Sequence, residues 1–124
     1  MITIMQLTEH FNSDEFACHC GCGYDDIDMN LVAKLEELRD NVDEPLIINS
    51  GCRCPEHNAE VGGVSNSQHV YGKAADVALP DGYTVDEFAD LAEEIGFDGI
   101  GKYDWGIHVD VRGYTARWDF REDA

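Results

Sequence analysis

Two histidines and one aspartate are the side chains of this sequence best suited to hold a metal ion. His69 is followed seven residues later by Asp76, and His108 lies near the end of the chain. Two neutral imidazole nitrogens and one carboxylate suit Zn²⁺ with a fourth position left open, which is the pattern of catalytic zinc. Zinc in such a site lowers the pKa of a bound water to about 7 and polarises a carbonyl group. Taken alone, such a scattered set is more often made of surface or capped core groups.

The cysteines form a second group that could bind metal. Cys18, Cys20 and Cys22 make one cluster, and Cys52 and Cys54 make another. A Cys-x-Cys pair on an extended segment directs both thiols to one face, which favours a shared metal over a bond between the pair. If the two clusters pack together, four thiolates could close a structural zinc site. The alternatives are one or two disulfides with an odd thiol left over, or free buried thiols.

Composition argues against two classes of partner. The chain has 26 acidic and 8 basic residues in 124, a net charge of -18. Nucleic-acid binding through phosphates needs clustered Lys and Arg, so we expect no nucleic acid as a partner. We also expect no membrane span, because no apolar run approaches roughly 20 residues, and no Sec leader in residues 1–7. The tail at 121–124 is expected to fray.

The first half of the chain predicts a helix, a strand and a short helix. Asp28 can cap a helix that ends before Pro45. A short buried strand follows at 46–50, and Pro55 is well placed in the first turn of the next helix. The core-facing stripe of the first helix consists of Leu31, Val32, Leu35, Leu38 and Val42.

The second half predicts the elements that carry two of the three candidate ligands. Residues 74–79 form a strand. Thr84 and Glu87 make a capping box that opens a helix. Strands at 99–103 and 107–112 then form a hairpin.

This order of elements predicts one α+β domain over residues 1–124, a small antiparallel-rich sheet with helices packed on one side. We expect the large aromatic residues to fill its core. These are Phe11, Phe16, Phe88, Phe97 and Trp118.

Several blocks of the sequence resemble the zinc D-Ala-D-Ala carboxypeptidase family. Members are peptidoglycan peptidases, include phage endolysins, and share a fold with lysostaphin-type enzymes and the hedgehog signalling domain. The similarity runs from about Phe11 to Trp118. The matching blocks are 50–58 (SGCRCPEHN), 61–63 (VGG), 67–69 (SQH), 72–76 (GKAAD) and 108–112 (HVDVR).

The resemblance implies roles for individual residues. His69, Asp76 and His108 match the zinc ligands of the family. Arg53 matches the arginine that binds a substrate carboxylate or the oxyanion of the tetrahedral intermediate, for which a planar guanidinium is well suited. The plainer interpretation of Arg53 is a surface salt bridge. Ser67 is expected to position a ligand or contact substrate, or else to cap a loop.

The catalytic base is where the sequence departs from this family. Members carry an acid three residues before the last ligand or a histidine two before it, and here those positions are Trp105 and Gly106. Residues two apart on a strand face the same way, so Asp110 shares a face with His108. Arg112 shares this face as well. We therefore predict that Asp110 takes the proton of the metal-bound water, or else orients His108 or Arg112 without contacting the metal. Asp104 is the second candidate base.

The function implied is that of a zinc-dependent peptidase, acting as carboxypeptidase or endopeptidase on cell-wall peptides that contain D-amino acids. Tyr103 and Trp105 are expected to line its substrate cleft. One alternative is a catalytically silent zinc-binding module, such as a virion component or a wall-recognition device. Another is a zinc hydrolase of a different peptide. A virion, the extracellular space and the cytoplasm of a halophile all stay open as locations.

The charge predicts that stability depends on salt. An acidic surface repels itself when the screening length is about 30 Å at 0.01 M salt, and far less when it is about 3 Å at 1 M. If the protein works at high salt, as in a halophile or a virus of one, its melting temperature will rise steeply between dilute buffer and molar KCl. A flat melting curve across that range would show an acidic protein of ordinary salt tolerance.

Overall fold

The computed structural model describes residues 6–121 of the chain. The expectations about a leader at 1–7 and a frayed tail at 121–124 therefore fall mostly outside the described residues. No helix within 6–121 has the length and apolar character to cross a membrane. The elements are a 3-10 helix at Ser13–Phe16, α1 at Met29–Val42, β1 at Ile48–Ser50, α2 at Pro55–Glu60, β2 at Ala74–Ala78, α3 at Val85–Ile95, β3 at Gly99–Tyr103, β4 at Gly106–Asp110 and β5 at Ala116–Asp119.

The strands form one sheet in the order β1-β2-β4-β3-β5. Neighbouring strands are antiparallel, except that β5 runs parallel to β3. The predicted α+β class, with its antiparallel-rich sheet, is confirmed. The sequence did not predict β5, because Arg117 and Asp119 give this edge strand a polar, exposed face with little β signal.

The predicted helix boundaries are confirmed by the cap geometry. Asp28 accepts hydrogen bonds from the backbone of Asn30 and Leu31 at the start of α1, and all five residues of the predicted stripe are buried. Thr84 and Glu87 form the expected capping box of α3. These caps satisfy backbone N–H groups that a helix start otherwise leaves without partners.

Helices α1 and α3 cover one face of the sheet. The core between them contains Val77 of β2, Ile100 of β3 and both Ile107 and Val109 of β4. Because side chains alternate along a strand, the residues between these point to the opposite face. That opposite face carries the candidate site.

Four of the five predicted core aromatics are buried, and one is not. Phe11, Phe16, Phe88 and Phe97 are all at most 2% exposed. The prediction for Trp118 is wrong, because its position on β5 places the indole on the face away from the helices, where it lines a cavity.

Candidate metal centre

The candidate site is built on a single row of residues that crosses the sheet. Asp76 of β2 pairs directly with His108 of β4, and His108 pairs with Gly101 of β3. The row extends to Ser50 of β1 on one side and Trp118 of β5 on the other. Directly opposite residues on neighbouring strands have Cβ atoms about 4.5–5.5 Å apart, so cross-strand pairing itself brings the carboxylate to the imidazole.

Three ligand atoms converge at this row. Asp76 Oδ1 lies 3.1 Å from His69 Nε2 and 3.1 Å from His108 Nδ1. The three atoms all lie within 4.8 Å of one another. His69 reaches them from the loop before β2, and both histidines are buried, at 2% and 7% exposed. Two imidazole nitrogens and one carboxylate oxygen at these distances fit the donor set of a zinc ion with an open position.

The other nitrogen of each imidazole is held by the protein. His69 Nδ1 lies 2.7 Å from the carbonyl oxygen of Gly51, and His108 Nε2 lies 2.7 Å from Asp110 Oδ2. A carbonyl oxygen and an ionised carboxylate only accept hydrogen bonds, so each contacting nitrogen carries the proton. In neutral imidazoles, the opposite nitrogens, His69 Nε2 and His108 Nδ1, then carry a lone pair that is available to a metal ion beside Asp76 Oδ1. Such outer contacts fix the tautomer and ring orientation of metal-binding histidines.

Asp110 lies behind His108, with the imidazole ring between it and Asp76. Its carboxylate is fully buried and is also held by Arg112, whose Nη2 lies 2.7 Å from Oδ2. Burial raises the pKa of Asp110, but hydrogen bonds from His108 and Arg112 outweigh this and hold the pKa below its ordinary value. A general base must reach the proton that it takes. Of the two predicted roles for Asp110, this placement therefore favours orienting His108.

Two glycines of β3 leave room on this face of the sheet. A Cβ atom at Gly99 would lie 2.1 Å from the Asp110 carboxylate, and one at Gly101 would lie 2.2 Å from the Trp118 indole. A side chain at Gly99 would displace the Asp110 carboxylate, and one at Gly101 would displace the Trp118 indole. Both groups flank the imidazole of His108. The site therefore depends on two residues that carry no functional group.

Arg53 is a partner of the metal-ligand set and not an isolated surface ion pair. Its Nη2 donates to Asp76 Oδ2 at 3.0 Å, its Nη1 to Asn58 Oδ1 at 3.3 Å and its Nε to Ser50 Oγ at 3.1 Å. Asn58 is itself anchored, since its amide donates to the carbonyl of Val64 at 2.7 Å. Three of the five guanidinium N–H groups are thereby occupied, which leaves two for a ligand.

Of two other residues predicted to belong to the site, Ser67 lines the cavity and Asp104 does not. Ser67 lines the cavity, and its Oγ accepts from the backbone N–H of His69 at 3.3 Å, which combines loop capping with positioning of a ligand. Asp104 is exposed in the β3–β4 turn and lies outside the cavity lining. Its role as a base stays a prediction.

A cavity of about 610 Å³ opens onto the three ligands. Tyr103 and Trp105 line it as expected, with their rings stacked 4.9 Å apart. Trp118 Nε1 donates to the Tyr103 hydroxyl at 2.8 Å, and the Trp118 ring lies 5.0 Å from that of His108. One wall of the cavity is therefore aromatic.

Several residues of the site were not predicted from the sequence as part of it. Asn58 reads as a capping or packing residue of a short helix, although its contact with Arg53 is direct. The carbonyl of Gly51 is a backbone group that sequence reasoning does not single out. The unpredicted lining residues include Tyr114 and Phe120.

The cavity lining is poor in acids. Among the described residues that line it, Asp76 is the single carboxylate. Trp105 and Gly106 occupy the two positions at which the family resemblance implies an acid or a histidine as catalytic base. The guanidinium groups of Arg53 and Arg112 also line it. Arg53 is paired with Asp76 and Arg112 with Asp110, so these four charges around the cavity balance, although the chain has a net charge of -18.

The cysteines divide into a cluster of four and a separate fifth. Cys18, Cys20, Cys22 and Cys54 have their sulfur atoms within 4.8 Å of one another. Cys52 is not part of this group and packs in the hydrophobic core at 1% exposed. The sequence alone left open which of the five would come together.

The chain is similar in sequence to known peptidases. The family model for peptidase M15 matches residues 9–111. The chain belongs to the peptidase M15 family. It is also 47% identical over 90 residues to a zinc D-Ala-D-Ala carboxypeptidase from Streptomyces albus G. That match covers 68% of this chain and 34% of the relative, so the chain spans about a third of the length of the curated relative it matches.

The contacts of Asp110 predict a role in zinc affinity. Asp110→Asn removes the charge behind His108, and contacts of this kind typically change metal affinity by about 10–100-fold. We expect zinc binding, measured by competition with a chromophoric chelator, to weaken by a factor in that range. Asp81→Asn, in an exposed turn, is the matched control and should bind zinc as the unmodified protein does. Unchanged zinc affinity with loss of turnover would instead identify Asp110 as a proton carrier.

Proposed function

We propose that this protein is a zinc-dependent peptidase that hydrolyses cell-wall peptides containing D-amino acids, as a carboxypeptidase or an endopeptidase. The observation that carries the proposal is the convergence of His69, Asp76 and His108 beside a cavity that also contains Arg53. Family membership and the similarity to a zinc D-Ala-D-Ala carboxypeptidase support the same reaction class.

His69 Nε2, Asp76 Oδ1 and His108 Nδ1 would hold the zinc ion. When bound, zinc supplies a Lewis acid for the scissile carbonyl and makes water a nucleophile near neutral pH. The chain keeps these donors available, because Gly51 and Asp110 hold the other imidazole nitrogens. Asp76 Oδ2 is held by Arg53, which leaves Oδ1 facing the imidazoles.

Arg53 and the aromatic wall would position the peptide. The two guanidinium N–H groups that the described contacts leave open can bind a C-terminal carboxylate or a developing oxyanion next to Asp76. The stacked rings of Tyr103 and Trp105 offer an apolar surface in the same cavity. The combination suits a peptide that ends in a free carboxylate.

The test is hydrolysis of a peptide that ends in D-Ala-D-Ala by the zinc-loaded protein, at several KCl concentrations. We expect release of D-alanine, its loss on chelation and its recovery with Zn²⁺. His69→Ala and His108→Ala should lose the zinc ion held at these residues together with activity, whereas Asp81→Ala, in an exposed turn, should keep both. Zinc binding without cleavage of this peptide or of any peptidoglycan fragment would contradict the proposal.

Arg53 provides a second test, of substrate recognition. Arg53→Lys keeps the charge but loses the planar fork of donors, and we expect KM for the free-carboxylate peptide to rise about tenfold, or about 1.4 kcal/mol. KM for the same peptide with a C-terminal amide should change much less. Arg117→Lys, outside this cavity, is the control. Zinc content is measured alongside, because Arg53 also contacts Asp76.

The acid-poor lining favours one alternative function. With Asp76 as the single carboxylate among the described lining residues, the protein would be a catalytically silent zinc-binding module that recognises wall peptides, for example within a virion. Such a module would bind D-Ala-D-Ala peptides in calorimetry without releasing D-alanine. A measurable turnover that depends on zinc would exclude it.

A further inference from the structure

The cluster of four cysteines lies outside the cavity and is not used by the proposed reaction. Three of its sulfur atoms form a triangle: Cys18 and Cys20 Sγ are 3.4 Å apart, Cys20 and Cys54 Sγ are 3.6 Å apart, and Cys18 and Cys54 Sγ are 3.9 Å apart. Cys22 completes the group, with its sulfur within 4.8 Å of the others. Three of these residues come from one short segment, and the fourth lies more than thirty positions further along the chain.

These separations match a shared metal ion. Zinc–sulfur bonds of about 2.3 Å in a tetrahedron place neighbouring sulfur atoms about 3.8 Å apart. The three sulfur–sulfur distances lie on either side of that value, whereas a disulfide requires about 2.05 Å. Four thiolates are also the donor set of a closed structural zinc site.

The backbone around the cluster is shaped to bring the sulfur atoms together. Gly21, between Cys20 and Cys22, and Gly23, directly after Cys22, adopt φ values of 85° and 89°, so the chain turns sharply on both sides of Cys22. The backbone N–H of Cys54 points to Cys18 Sγ at 3.4 Å, and that of His57 points to Cys54 Sγ at 3.4 Å. Hydrogen bonds donated to sulfur favour the thiolate, which is the form that binds metal.

The cluster also joins two segments that support the metal centre. Cys54 follows Arg53 directly, and the same loop contains Gly51, whose carbonyl holds His69. The N-terminal segment packs closely on this loop, since the Cys52 N–H donates to the Phe16 carbonyl at 2.8 Å. A link through Cys54 would therefore restrict the loop that positions both contacts.

We propose that Cys18, Cys20, Cys22 and Cys54 bind a structural Zn²⁺ that ties the N-terminal segment to the loop carrying Arg53. Binding converts each thiol to a thiolate, so the site takes up zinc as protons are released. Cys52 is not a ligand. The proposal does not depend on the proposed peptidase activity, because it concerns a second zinc ion at a separate site.

The experiment uses the full-length, reduced protein. Metal analysis should give two zinc ions per chain, one in the cysteine cluster and one at His69, Asp76 and His108. Replacement of zinc by Co²⁺ should produce the intense sulfur-to-cobalt charge-transfer absorption of a thiolate site, which a site of histidine and aspartate cannot produce. This spectrum of the unmodified protein decides the proposal even if a cysteine variant does not fold.

Variants separate the two sites. The double variant with Cys20→Ser and Cys22→Ser should retain one zinc and lose the charge-transfer band. His69→Ala should also retain one zinc but keep the band. Cys52→Ala is the matched control, a cysteine outside the cluster, and should keep both zincs and the band.

Three results would overturn the proposal. The first is the absence of a charge-transfer band in the unmodified protein, and the second is a band that survives the double variant. The third is fewer than five reactive thiols in protein that was purified without any reductant and then denatured in the presence of chelator. The last result would show a disulfide. Failure of the peptidase proposal would appear differently, as absent D-alanine release from a protein that holds both zincs.

Discussion

The pairing of Asp76 with His108 across two antiparallel strands is the interaction on which the site depends. It sets a carboxylate 3.1 Å from an imidazole nitrogen on a face of the sheet that α1 and α3 do not cover. Buried polar groups of this kind are costly unless each finds a partner. The surrounding residues provide those partners: Asp110 holds the far side of His108, and Arg53 holds the second oxygen of Asp76.

Several contacts that hold the site in place come from the loop between β1 and α2. Gly51 fixes the tautomer of His69, Arg53 contacts Asp76, and Asn58 at the following helix holds Arg53 in place. Such contacts act through geometry, because a ligand set displaced by even a fraction of an ångström loses metal affinity. The same loop provides the only positive charge in direct contact with the three ligands among the residues that the structure describes.

Asp110 illustrates how far strand periodicity can predict a role. Alternation along β4 correctly placed it on the face of His108, but two roles were compatible with that placement. The choice between them depends on which side of the imidazole the carboxylate occupies. That side is decided by Arg112, which holds the carboxylate, and by Gly99, whose missing side chain leaves the space that it fills. Neither effect can be read from a two-residue spacing.

The sequence by itself determined the helix caps, the buried stripe of α1 and the α+β class, because local spacing and residue type encode these features. It pointed to His69, Asp76 and His108 as candidate ligands through the resemblance of its motifs to a known family, and not through their spacing alone. The tertiary structure alone decided that β5 adds Trp118 to the cavity, that Cys54 and not Cys52 joins the N-terminal cysteines, and that Asn58 holds Arg53. These contacts join residues distant in the chain or depend on backbone groups. Their geometry is set by packing and strand register, which local sequence patterns do not specify.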